Sequence, residues 1–126
     1  MISDTPLKTS FVSIQRSSYD NIDINTLLEP LGGMKQYIKK GERVLLKTNL
    51  LIPSDPKKAV VTHPAVIQSL AQTILEIGGV PYIGDSPSGQ FNKRRLEKTY
   101  QKSGLTTVAK NLGIELNYDI GVTKID

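Results

Sequence analysis

Residues 43 to 84 constrain the fold more than any other stretch, because they spell a strand, a helix and a second strand with their own punctuation. Arg43-Val44-Leu45-Leu46-Lys47 is a short apolar run between Gly41 and a polar end, the pattern of a central strand buried on both faces. Val66, Ile67, Leu70, Ala71, Ile74 and Ile77 then recur at three- and four-residue steps, which predicts a helix with one apolar stripe. Pro64 suits its first turn, Thr62 or His63 suits its cap, and Gly78-Gly79 supplies a left-handed stop that other residues resist. Val80 to Ile83 is a second short strand, ending at Gly84-Asp85. Short turns join the three, so the expected product is a right-handed βαβ unit with parallel strands. The polar ends of both strands, Lys47/Asn49 and Asp85/Ser86, then share one edge of the sheet.

Weaker patterns flank this unit. Phe11 to Ser17 alternates apolar and polar residues and predicts a first strand with one buried face. Asp23 is expected to cap a helix carrying Ile24, Leu27, Leu28 and Leu31, broken by Pro30 and Gly32-Gly33; a short helical piece, Met34 to Lys39, then ends at Gly41. Downstream, one helix is expected around Leu96 and Tyr100 up to Gly104, and another around Leu105, Val108, Ala109 and Leu112 up to Gly113. Ile114, Leu116, Tyr118 and Ile120 alternate as a final strand with no helix after it to cover it. There is no internal repeat and no low-complexity linker, and 126 residues suit one domain, 1–126. The reading is a three-layer α/β domain with a mainly parallel sheet of about four strands and flanking helices.

Composition excludes several chemistries. With no cysteine, these residues hold no disulfide, thiolate zinc site, cysteine-ligated iron–sulfur cluster or cysteine nucleophile. The net charge of +4 favours acidic partners, but Lys39-Lys40, Lys57-Lys58 and Lys93-Arg94-Arg95 are scattered and not interleaved with aromatics. Solvated faces are the expected reading, and nucleic acid is not an expected partner. Met1-Ile2-Ser3-Asp4-Thr5-Pro6 lacks the basic and apolar regions of a secretory signal, and no stretch approaches a membrane-spanning length. A cytoplasmic protein without a membrane partner is the expectation.

The candidate site follows from the strand ends. Lys47 and Asn49, two apart on extended backbone, point to one side, where an ammonium and a carboxamide together suit a carboxylate or phosphate. The competing reading is a strand end reaching water, with Asn49 bonding its own loop. His63 is the only histidine, so a site needing two imidazoles cannot be built in one copy, and no metal site is expected. It suits a general base or an anion contact, and equally a helix cap. The start of the 64–77 helix attracts anions through its free N–H groups regardless of side chain. Asp85 stands where α/β sites take a carboxylate for metal, hydroxyl or base work, and equally where a turn would accept bonds from Ser86 or Ser88. Gly84-Asp-Ser-Pro-Ser-Gly89 is neither a Walker loop nor a G-x-G-x-x-G fingerprint, and no nucleophile elbow surrounds its serines. Lys47, Asn49, Thr62, His63, Asp85 and Ser86 are the candidate ligand-binding residues, with Lys47, His63 and Asp85 expected in one pocket.

Taken in order, Lys47-Thr-Asn-Leu50, Thr62-His-Pro64 ahead of an apolar helix, Gly78-Gly79 and Gly84-Asp-Ser-Pro87 resemble the domain of unknown function 362 family, over roughly residues 10 to 120. In that family these motifs recur, and many members carry a ferredoxin-like segment whose cysteines hold four-iron four-sulfur clusters. The resemblance implies redox or electron-transfer work for the larger proteins, with any cluster here in residues outside this chain. Lacking cysteine, the chain looks like the amino-terminal portion of such a domain. The resemblance carries over Lys47, Asn49, Thr62, His63, Asp85 and Ser86 without a settled reaction. Three functions are expected alternatives. One is a module that binds a small anionic ligand and assembles with a ferredoxin-like domain or a second chain. Another is an enzyme in which Lys47 positions an anionic substrate while His63 or Asp85 transfers a proton. The third is an inactive fragment that associates, with its own kind or another chain, through an exposed edge strand.

Overall fold

A computed structural model describes residues 9–125, and the Met1–Pro6 stretch weighed above for a leader lies outside them. Three parallel strands, β1 (Arg43–Lys47), β2 (Val80–Gly84) and β3 (Glu115–Leu116), form one sheet in that order, giving an α/β architecture. Arg43 pairs with Val80 and Lys47 with Gly84, so β1 and β2 end side by side. Between them runs α2 (Pro64–Ile77). Its start is fixed by Pro64 and by His63, whose Nδ1 accepts the Ala65 N–H at 3.2 Å; its end is fixed by Gly78 at φ +93°. Asp23 caps α1 (Ile24–Leu28), which tightens into a 3₁₀ turn at Glu29–Leu31 before Gly32. Asn92 caps α3 (Lys93–Lys102), and α4 (Leu105–Leu112) follows Gly104.

The core lies where α2, α3 and α4 meet the sheet. Leu46 and Ile83 from the strands pack with Ile67, Ala71 and Ile74 of α2, Leu96 and Tyr100 of α3, and Leu105, Val108 and Ala109 of α4. Gly79, between α2 and β2, sits at its tightest point. A Cβ there would lie 2.8 Å from Ile74 Cγ2 and 2.9 Å from Ile38 Cγ2, both buried. Gly79→Ala is therefore expected to lower the unfolding free energy by about 1–3 kcal/mol through overpacking, read from the midpoint of urea denaturation.

Several sequence expectations are corrected. The sheet has three strands rather than about four, because Phe11 to Ser17 forms none. Phe11, Val12 and Ile14 are 80%, 81% and 90% exposed. Alternation is local, but a strand also needs a neighbour for its backbone groups, and here the Ser13 hydroxyl donates instead to the Leu27 carbonyl. β1 is an edge strand and not a central one, with Leu45 47% exposed, since β2 takes the middle position. The final strand keeps only Glu115 and Leu116 of the alternating run. Beyond it, Asn117 Oδ1 accepts the Asp119 N–H at 3.0 Å and Asp119 Oδ1 accepts the Gly121 N–H at 2.8 Å, local bonds that compete with a ladder. The Met34 to Lys39 piece shortens to a 3₁₀ turn at Met34–Gln36.

Candidate functional site

Lys47, the last residue of β1, reaches Asp85, the first residue after β2. Its ammonium donates to Asp85 Oδ1 and, at 2.8 Å, to the Thr48 carbonyl. The other carboxylate oxygen, Oδ2, accepts the Leu50 N–H at 2.7 Å. The Asp85 side chain is 4% exposed and that of Lys47 62% exposed, so the carboxylate is sealed in while the ammonium keeps contact with water. Both Asp85 oxygens have donors, and two of the three ammonium N–H groups have acceptors. Asp85 thus ties the loop after β1 to the end of β2, and Lys47 retains one N–H for a ligand.

Asn49 and Thr62 make a second junction beside the first. The Asn49 N–H donates to Thr62 Oγ1 at 2.9 Å, and the Thr62 N–H donates to the Asn49 carbonyl at 2.9 Å. His63 does not join Lys47 and Asp85. Its Nδ1 is occupied as the cap of α2, and its ring stacks on Tyr19 with centroids 3.6 Å apart and planes 7° apart. Ser86 is exposed, while Ser88 donates to the Leu51 carbonyl at 2.9 Å, holding the loop after β2 against the loop after β1.

A cavity of about 250 Å³ opens at this edge, its polar lining made by Lys47, Asp85, Ser86, Asn117 and Asp119. Asn49, Thr62 and His63 do not line it. A hollow of about 610 Å³ lies elsewhere, beside α1 and α2, and shares none of the candidate residues. Asn117, like Asp119, lines the cavity without being among the sequence candidates. It follows β3 just as Asp85 follows β2, so its position past a third parallel strand was the available signal. Its N–H donates to the Ile83 carbonyl at 2.8 Å and its carbonyl accepts the Tyr100 hydroxyl at 2.8 Å. The Oδ1 bond to Asp119 fixes the amide, leaving the NH₂ group without an acceptor among the described residues.

Burial pushes the Tyr100 hydroxyl up to about 12 from 10.0, against a lowering by the main chain of Asp85. Between these values the unfolded chain has lost a proton that the folded one keeps, so rising pH favours unfolding. Stability from this group is present below pH 10.0 and falls as pH climbs to about 12. Tyr100→Phe is expected to flatten that alkaline fall, checked by urea denaturation across the same range.

Fold and site together define a parallel α/β domain whose polar side chains gather at the carboxyl edge of its sheet. The family described as domain of unknown function (DUF362) matches residues 44–123, and the chain belongs to it. It is similar to the thylakoid-associated protein sll1697 of a Synechocystis species, at 51% identity over 65 residues. That match covers 52% of this chain and only 20% of the relative, so about half of the chain corresponds to about a fifth of that protein. No solved structure shows significant similarity to it. Among the described residues no helix is long and apolar enough to cross a membrane.

Proposed function

We propose that this chain is a binding module whose cavity at the sheet edge takes a small anionic ligand. The observation that carries the reading is the Lys47 ammonium with one N–H still free, fixed by a buried carboxylate and opening on a cavity. The Ser86 hydroxyl and the Asn117 NH₂ supply neutral donors beside it. Asp119 also lines the cavity, but its Oδ1 takes the Gly121 N–H of its own turn. Binding is favoured over proton transfer because Asp85 has both oxygens engaged and the Nδ1 of His63 is taken by a helix cap.

The module is read as one part of a redox-associated protein, a reading supported by the family resemblance alone. The chain's own residues do not fit an iron–sulfur cluster. It has no cysteine, and among the described residues no group of three or more His, Asp or Glu side chains gathers. Cluster ligands would come from another segment or chain.

Titrating the chain with inorganic phosphate and with acetate, followed by two-dimensional amide NMR, is expected to give saturable shifts at residues 47–49, 84–88 and 117. Lys47→Gln keeps a donor for Asp85 and is expected to weaken binding by about tenfold while leaving the spectrum dispersed. A dispersed wild-type spectrum that does not respond to either anion would overturn the reading.

A further inference from the structure

Basic residues are scattered along the chain, but the excess of positive charge sits on one helix. The chain has 16 Lys and Arg against 12 Asp and Glu; α3 takes five of the former, Lys93, Arg94, Arg95, Lys98 and Lys102, and one of the latter, Glu97. The +4 of the whole chain is therefore the +4 of α3, and the rest balances to neutral. Arg94, Lys98 and Lys102 recur at four-residue steps and line one face of the helix over about 12 Å. All three are exposed, as is Gln101 among them, and none forms an ion pair among the described residues. The arrangement works against stability. Like charges four residues apart repel, and Lys93, Arg94 and Arg95 stand in the first turn, where the helix dipole disfavours positive charge. A negative partner relieves both penalties.

We infer that α3 is a docking face for an anionic lipid surface, met by the Arg94, Lys98 and Lys102 side chains. The exposed face of the helix carries no apolar side chain, and a specific protein partner needs such an anchor at the centre of its contact. It carries no exposed aromatic for stacking on a single nucleic-acid strand, since Tyr100 is fully buried. Nor does the helix stand clear of the fold to enter a duplex groove, because Leu96, Thr99, Tyr100 and Ser103, spread along its length, are all buried. What it offers is long stems ending in charge on a convex face, which a plane of phosphate headgroups meets without groove or pocket. The docking is peripheral, since the apolar side of α3 is already taken by the core and does not enter the lipid. The face is separate from the Lys47 cavity, none of whose lining residues belongs to α3.

The test is flotation of the whole chain with phosphatidylcholine vesicles, either plain or carrying about a third phosphatidylglycerol, at low salt. Wild type is expected to float with the anionic vesicles and not with the neutral ones, and to be released by about 0.5 M sodium chloride, which screens surface charge. Arg94→Gln/Lys98→Gln/Lys102→Gln is expected to weaken binding to the anionic vesicles by about a hundredfold. Lys39→Gln/Lys57→Gln/Lys58→Gln removes the same charge from exposed sites elsewhere and is expected to weaken it by less than about fivefold. Glu97→Gln adds to the positive excess of the face and is expected to strengthen binding by about threefold, a reading that stands even if the first triple variant does not fold. Equal losses in the two triple variants would overturn the inference, because net charge and not α3 would then govern binding. Wild type that ignores anionic vesicles, or that binds duplex DNA more tightly in the same buffer, would overturn it as well.

Discussion

Asp85→Ala is expected to lower the unfolding free energy by about 2–3 kcal/mol, most of it from one orphaned amide rather than from the ion pair. The pair contributes little because the Lys47 side chain is largely exposed and water rehydrates it when the carboxylate is removed. The Leu50 N–H has no such recourse. Leu50 is fully buried, and its amide donates to Asp85 Oδ2 at 2.7 Å. Left without an acceptor, it costs most of the loss. Asp85→Asn separates the two effects, since the amide oxygen still accepts from Leu50 while the charge is gone; about 1 kcal/mol is expected for it. Urea denaturation of both variants checks this, and equal losses would mean that the ion pair dominates.

Leu50→Ala is expected to be the more damaging change, at about 3 kcal/mol and within the usual range for a buried leucine. The side chain belongs to the same core cluster as Leu46, Ile67 and Ile83, so its removal opens a cavity beneath the loop that carries the site. The same residue thus anchors that loop twice, by its side chain to the core and by its amide to Asp85. Two anchors on one residue do not act independently. The double variant Asp85→Ala/Leu50→Ala is expected to lose less than the sum of the singles, because once the side chain is gone the loop no longer holds the amide in place. Strict additivity in a double-mutant cycle would show the two attachments to be separate.

What was legible in the sequence was what neighbours in the chain decide for themselves. The apolar stripe of α2, its cap at His63 and its stop at Gly78 are local properties, and they appear where the periodicity put them. The Asp23 cap and the break after Leu31 are of the same kind. The shared edge of Lys47 and Asp85 was also legible, because two strands joined by one helix leave little choice of direction. Phe11 to Ser17 failed because alternation promises a face but not a partner strand. His63 shows the limit at single-residue scale. Its cap was readable, whereas the stack on Tyr19, 44 positions earlier in the chain, depends on where the N-terminal segment lies. Asn117 was hidden for a similar reason, since it matters through what the fold sets against it.

The bond between the Leu50 amide and the Asp85 carboxylate spans 35 positions, and its two ends meet through the β1–α2–β2 unit. Solvent deuterons therefore reach that amide when the unit opens, not when a single turn frays. Its exchange rate is expected to match those of the innermost amides of β2 rather than those of its own loop. One resonance in the loop would then time the opening of the whole domain.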